Sequence, residues 1–259
     1  MNENQINLIG ISGKKQQGKD SVAKIIKYLC SALDKRYNLP FNPESSYTNT
    51  TDWFVTRYAL KLKMMVAILI GCKVEDLEKE EFKSSFLSDE WNTYTIDVFV
   101  NGKKMFSKMF PTYNEATSFF EYEKLIRETP TVKLHATIVT NRLTVRKLLA
   151  MMGTDFMREK IHPDVHINSL FVDYKVNEYG NYPRWIIADV RFPNEVEAIR
   201  KRGGVVIRVE NPRVTPEDDE PLSETALDDF PFVEKIINDG TIEDLVEKVK
   251  IIIDKYNIK

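Results

Sequence analysis

Three local signals follow one another without a gap near the amino end, and together they constrain the chain more than any other feature. Ile6, Leu8, Ile9 and Ile11 give Ile6 to Ser12 the pattern of a buried strand. Gly13 to Gly18 reads as a loop, and from Lys19 the residues Val22, Ile25, Ile26, Leu29 and Leu33 recur at helical spacing. The loop Gly13-Lys14-Lys15-Gln16-Gln17-Gly18-Lys19 fits G-x-x-x-x-G-K, the first seven positions of a phosphate-binding loop. Glycines let the backbone curl so that several N–H groups point inward at phosphate oxygens, and the following helix adds its positive dipole end. Gly13, Lys15, Gln16, Gly18, Lys19, Asp20 and Ser21 are therefore the candidate binders of a nucleotide such as ATP, with Lys19 reaching its β- and γ-phosphates.

The eighth position departs from the pattern, because Asp20 stands where Ser or Thr usually holds Mg²⁺, and Ser21 follows one residue later. Either Asp20 touches the metal or its waters, or Ser21 takes the hydroxyl role after a small shift. An anion so close to a triphosphate calls for a cation beside it, so Asp20 and Ser21 are the candidate metal residues.

The rest of the chain reads as α/β with an interruption. A helix is expected from Arg57 to Ile70, stopped by Gly71. Thr93 to Phe110 alternates around Asn101-Gly102, the signal of a type I′ hairpin. With the Tyr113 to Thr140 stretch it marks residues 85–140 as an insertion or substrate-side subdomain. A helix resumes at Thr144 with Val145, Leu148, Leu149 and Met152, and Gly153 is expected to cap or break it. Trp185 to Val190, Pro193 to Arg202 and Val205 to Val209 read as a βαβ unit, which implies a parallel sheet. Thr241 caps a last helix. Residues 212–230, Pro-rich and acidic with the run Glu217 to Glu220, read as a loop or lid that would keep water from a γ-phosphate. The expected architecture is a three-layer P-loop NTPase sandwich with a parallel sheet, one P-loop domain over 1–259, plus the hairpin-bearing insertion.

The second half adds polar groups where open α/β sheets bind ligands. Asp189 ends an apolar strand, as a carboxylate facing a Mg²⁺ shell would, and Arg191, Asn194 and Glu195 follow it. Arg146 lies on a helix with a basic face, and an arginine suits bidentate phosphate contact. Arg142 and Arg158 are expected on the surface. His135, His162 and His166 lack metal-triad spacing, and Cys30 and Cys72 show neither metal nor disulfide spacing. Trp53, Trp91 and Trp185 are expected to be core.

Lys and Arg total 37 against 39 Asp and Glu, a net charge of −2, which gives no general attraction to nucleic acid polymers. The longest apolar stretch, Met64 to Ile70, is far below the ~20 residues a membrane span needs. The amino end lacks a signal-peptide pattern, so a cytoplasmic protein acting on small nucleotides is expected.

At this point the sequence resembles the bacteriophage deoxynucleoside monophosphate kinase family. The resemblance rests on ordered blocks: the Gly18-Lys19-Asp20-Ser21 ending, Tyr58 to Lys63, Arg146 to Leu149 with Met152 to Asp155, Asp189 to Glu195, Gly203-Gly204, Ser223-Glu224 and Asn238 to Thr241. The resemblance implies a P-loop fold, ATP and Mg²⁺, and a deoxynucleoside monophosphate acceptor, in the host cytoplasm for a phage-encoded chain. It places Lys15, Lys63, Arg146, Gly153, Thr154, His166, Asp189, Arg191 and Asn194 on the acceptor side, with Lys19, Asp20 and Arg146 in transfer. His166 stands where the family has Trp, Pro221 where it has His, and Asn211-Pro212 replaces Arg-Pro. A phosphomevalonate-type kinase and a non-catalytic nucleotide switch are the alternatives, and a homodimer is open.

Overall fold

The computed structural model describes residues 6–31, 41–42, 51–215 and 222–258. They fall into two compact units, one formed by residues 1–61 with 157–259, the other by 62–156.

The first unit is built on a parallel sheet of β1 (Leu8–Ser12), β2 (Trp53–Thr56), β6 (Arg184–Val190), β7 (Val205–Glu210) and β8 (Glu234–Ile237), in the order β2-β6-β1-β7-β8. Burial follows that order. Every residue of β1 is buried, and β6 and β7 are buried but for one end residue each, as strands covered on both faces must be. The edge strands β2 and β8 carry exposed positions such as Phe54, Lys235 and Ile237. Ile9 and Ile11 face the Lys19–Leu29 and Ile242–Lys255 helices through Val22, Ile25, Ile26, Leu245, Val249 and Ile252. Leu8, Ile187 and Val206 belong to the opposite core, with Val196, Ile199, Ile167 and Leu170 of the Pro193–Arg200 and Val165–Phe171 helices. Each fully buried aliphatic side chain contributes about 1.5–3 kcal/mol, so the two faces together fix the layer order. The result is the expected three-layer α/β fold with its parallel sheet. The supposed βαβ unit differs in one respect: β6 and β7 are not neighbours, because β1 lies between them. Trp53 and Trp185 are core, as read from sequence, and Trp91 of the second unit is half-buried.

The second unit holds an antiparallel sheet of β3 (Thr93–Val100), β4 (Lys103–Phe110) and β5 (Leu134–Asn141), ordered β4-β3-β5. Asn101 (φ 46°) and Gly102 (φ 81°) turn the β3–β4 hairpin with the paired positive φ of a type I′ turn. Ile96, Val98 and Leu134 pack with Phe106, Phe119 and Phe120 to form this unit's core, with the Tyr113–Arg127 helix on the sheet. The edge strand β4 is mostly exposed and carries Lys103, Lys104 and Lys108, charges that discourage edge-to-edge pairing. Residues 85–140 lie inside this unit.

The Pro193 helix ends at Arg200, two residues short of expectation, and two further helix boundaries differ. The helix expected from Arg57 begins at Leu60, because the amides of Tyr58 and Ala59 are bonded to the Asp189 carboxylate ahead of its first turn. Gly153 neither caps nor breaks its helix: Val145–Ala150 runs on as a π-helical Met151–Ile161. Thr241 caps its helix as read, accepting from the Asp244 amide at 3.2 Å, and Thr144, where a helix is expected to resume, is the cap of Val145–Ala150, accepting from the Lys147 amide at 3.2 Å. The acidic run Glu217 to Glu220 lies outside the described residues. No described helix is long and apolar enough to cross a membrane.

Candidate functional site

The connections out of β1 determine where a ligand can approach the sheet. The chain runs outward from β1 to the β2 edge, returns to β6, and then crosses to β7 and β8 on the other side. The loop after β1 therefore opens at the point where strand order reverses, at the carboxyl ends of the strands, where α/β sheets bind ligands.

Contacts from both flanks shape that loop. A Cβ on Gly13 would lie 2.6 Å from the Val209 carbonyl oxygen, so β7 admits only glycine at this distance. Gly18 has φ 102°, and a Cβ there would lie 2.5 Å from Nδ2 of Asn238, which donates to the Gln17 carbonyl at 3.1 Å. Gln16 takes a left-handed φ of 64°, and the Gln17 side chain accepts from the Lys14 amide at 3.0 Å. Gly18 is also the cap of the Lys19–Leu29 helix and brings no side-chain oxygen to its first amides.

Lys19 Nζ donates to the carbonyls of Gly13 (2.7 Å) and Lys14 (2.5 Å), which holds its ammonium across the loop. Burial lowers its pKa to about 8, helped by the nearby Arg191 charge and opposed by Glu224, Asp20 and Asp189. Asp20 is exposed and pairs with Arg57 at 2.8 Å, and Ser21 is half-buried on the first helical turn.

A second polar group forms where β6 ends. Both oxygens of buried Asp189 accept backbone amides, Tyr58 at 2.7 Å and Ala59 at 3.1 Å. Glu195 caps the Pro193–Arg200 helix: its Oε2 accepts the amides of Arg191 (2.7 Å) and Phe192 (3.1 Å). Its Oε1 pairs with Arg158 at 2.6 Å, and that guanidinium stacks 4.1 Å from the Phe192 ring centroid. Burial pushes the Glu195 carboxyl up to about 7, with Asp189 adding to the rise and the Arg191 amide and Arg158 opposing it. The Arg191 guanidinium pairs with Glu224, whose other oxygen accepts the Lys15 amide at 3.0 Å. Asn194 donates to Asp164 at 2.6 Å.

The sequence candidates thus divide between the units. Gly13, Lys15, Gln16, Gly18, Lys19, Asp20, Ser21, His166, Asp189, Arg191 and Asn194 belong to the first. His166 is buried within the Val165–Phe171 helix. Lys63, Arg146, Gly153 and Thr154 belong to the second. Lys63 pairs with Glu78 at 2.7 Å, and Arg146 with Glu80 at 2.7 Å. Gly153 is buried where a Cβ would lie 2.7 Å from Leu62 Cδ2, and Thr154 is exposed. One expectation is corrected. Arg158 is not a surface arginine, because its side chain is 16% exposed and holds the buried Glu195 carboxylate. Arg142 is exposed as read, over the Phe86 ring. Sequence reasoning gave no role to Arg57, Arg208, Glu224 or Asp228. Glu195 carried a usable signal, a Glu at the third position of a helix that starts with Pro.

The family model described as deoxynucleotide monophosphate kinase matches residues 7–249. The chain is 23% identical over 243 residues to the deoxynucleotide monophosphate kinase of Enterobacteria phage T4, covering 94% of this chain and 97% of that one. It is 24% identical over 211 residues to the deoxynucleoside-5′-monophosphate kinase of Escherichia phage T5, covering 75% and 72%. A putative deoxynucleotide monophosphate kinase of Acanthamoeba polyphaga mimivirus is 30% identical over 116 residues, covering 41% and 59%. Neither the phosphomevalonate-type alternative nor the non-catalytic switch is favoured by these matches. The glycine loop, the lysine bound across it and a family match over nearly the whole chain lead to one assignment: the chain belongs to the deoxynucleotide monophosphate kinase family.

Proposed function

We propose that this phosphotransferase moves the γ-phosphoryl group of ATP onto a deoxynucleoside 5′-monophosphate, giving ADP and a deoxynucleoside diphosphate. The observation that carries the reading is the glycine loop at the sheet's switch point, with Lys19 held across it by the Gly13 and Lys14 carbonyls. The loop amides and the helix end would receive the donor's phosphates. Lys19 would neutralise charge as the γ-phosphoryl group moves, and Arg191 is a second cation beside it.

The acceptor's phosphate has a second pKa near ~6 and is already largely a dianion at neutral pH, so transfer needs alignment more than a strong base. The resemblance places Lys15, Lys63, Arg146, Gly153, Thr154, His166, Asp189, Arg191 and Asn194 with the acceptor, and of these Lys15 and Arg191 share the Glu224 carboxylate beside the phosphate loop. Arg146 now shares the Glu80 carboxylate with Lys83, and the two cations hold that carboxyl down at about 2, so an acceptor phosphate must compete for Arg146. Asp189 would act through the backbone, since its two oxygens already fix the Tyr58–Ala59 turn.

The residues at the loop suit Mg²⁺, which prefers hard oxygen donors and keeps several waters: a carboxylate on Asp20 and a hydroxyl on Ser21 adjoin a cradle that admits no side chain at Gly13 or Gly18. Asp20 would have to loosen its pair with Arg57 to serve. When bound, the ion would neutralise β- and γ-phosphate charge.

The test is ADP production from Mg²⁺-ATP with each deoxynucleoside monophosphate, each ribose counterpart, and no acceptor. ADP that depends on a deoxynucleotide supports the reading, and ADP indifferent to acceptor overturns it. A pH effect is expected too. Burial holds Lys19 at about 8, and a bound polyphosphate raises it, so ATP binding takes up a proton as pH rises through about 8. Affinity falls by up to about tenfold for each pH unit above 8, because the charged lysine becomes scarce before binding. Calorimetry in buffers of different ionisation enthalpy reads the proton, and Lys19→Met removes it.

A further inference from the structure

A carboxylate from far along the chain reaches the phosphate loop. Glu224 lies 209 residues beyond Lys15, yet its Oε2 accepts the Lys15 amide at 3.0 Å and its Oε1 pairs with the Arg191 guanidinium. Its side chain is only 13% exposed, although it sits on the short Leu222–Thr225 helix. A backbone amide of the glycine loop and an arginine beside Lys19 are the donors a phosphate oxygen seeks, and carboxylates and phosphates compete for such donors. A second acid from the same stretch is tied separately. Asp228 pairs with Lys14 (3.0 Å) and with Arg208 (3.1 Å), and Arg208 also donates to Ser12 at the end of β1. The Asp228 tether keeps this stretch beside the loop without using the Lys15 amide or Arg191.

We propose that Glu224 is a built-in competitor for nucleotide phosphate: its carboxylate holds the Lys15 amide and Arg191, and a phosphate must displace it to bind. Glu224 thereby sets the affinity for the donor nucleotide. A phosphate anion and the Glu224 carboxylate cannot share these donors without like charges in contact, so the side chain leaves while Asp228 keeps the segment anchored. The cost of displacement belongs to the protein and is the same for every polyphosphate. A long anion with many contacts overcomes it, and orthophosphate with few does not. The inference rests on the proposed nucleotide site at this loop.

Calorimetric titration of the full chain with ATP and with tripolyphosphate tests it, comparing wild type with Glu224→Gln and Glu224→Ala. Both ligands are expected to bind both variants about tenfold more tightly, the equivalent of one lost charge-assisted bond. ATP that binds wild type but binds the variants equally or more weakly overturns this inference alone and makes Glu224 a structural tie. Absence of ATP binding by wild type overturns the nucleotide site, and this inference with it.

Discussion

Replacing Lys19 by Ala is expected to cut phosphoryl transfer by about 10³-fold or more while the protein still unfolds cooperatively close to the wild-type temperature. The rate loss follows from what the ammonium does. It lies in a partly dehydrated loop, where one correctly placed donor to developing charge is worth about 10²–10³ in kcat, and a cation on a transferring phosphoryl group about 10³–10⁵. The fold survives for a separate reason. The ammonium's partners are two carbonyls of the loop, not core groups; a bond to a charged group is worth about 1.5–3 kcal/mol, but removing the lysine also removes the cost of burying its charge, and water can take its place. The sheet and its two apolar faces do not depend on it. Lys19→Arg is expected to restore little, because a planar fork cannot reproduce a compact ammonium bridging Gly13 and Lys14. Coupled ADP release and thermal unfolding on the same preparation separate chemistry from folding. Turnover near wild type in Lys19→Ala would remove Lys19 from the mechanism.

The phosphate loop was legible because all of its determinants are local. Gly13, Gly18 and Lys19 lie within seven residues of one another, and the strand before them and the helix after them declare themselves by period. The sheet was legible for a similar reason: strands buried on both faces read as unbroken apolar runs, as in β1, β6 and β7. Strand order was not, since periodicity says nothing about neighbours, and β1 inserts between β6 and β7. The Arg57 to Ile70 helix was read three residues too long because its start is decided by Asp189, more than a hundred residues away. Arg158 and Glu224 fail in the same way. Their local surroundings are polar and suggest solvent, whereas their partners Glu195 and Lys15 come from distant elements. Charged residues that become buried only through long-range pairing carry no periodic signature.

Replacing Arg158 by Ala is expected to give the largest loss of stability of any single change to a charged residue in the first unit, and the loss should depend on pH. Glu195 is 1% exposed, and its carboxylate is satisfied by Arg158 on one oxygen and by the Arg191 and Phe192 amides on the other. Removing one partner of a buried ion pair leaves an uncompensated charge and costs about 3–5 kcal/mol. The carboxyl can escape that cost by taking a proton. Its pKa is already raised in the folded chain to about 7 from a usual 4.5, with burial the main cause. A group raised in this way lends stability that is complete below the unfolded pKa and is lost as pH climbs through the folded one. Without Arg158 the folded pKa moves higher still, so the variant goes on losing stability above about pH 8, where wild type has levelled off. Near pH 5 the carboxyl is protonated in both proteins. There the difference shrinks to the lost hydrogen bond and the contact with Phe192, about 1–2 kcal/mol. Urea unfolding from pH 5 to 8.5 reads the divergence directly, and Glu195→Gln in the Arg158→Ala background should flatten it by removing the titrating group. A loss that is the same at every pH would mean that Glu195 stays ionised without its arginine, held by the two amides alone. The loop from Asp189 to Phe192 would then owe its geometry to the backbone and not to the ion pair.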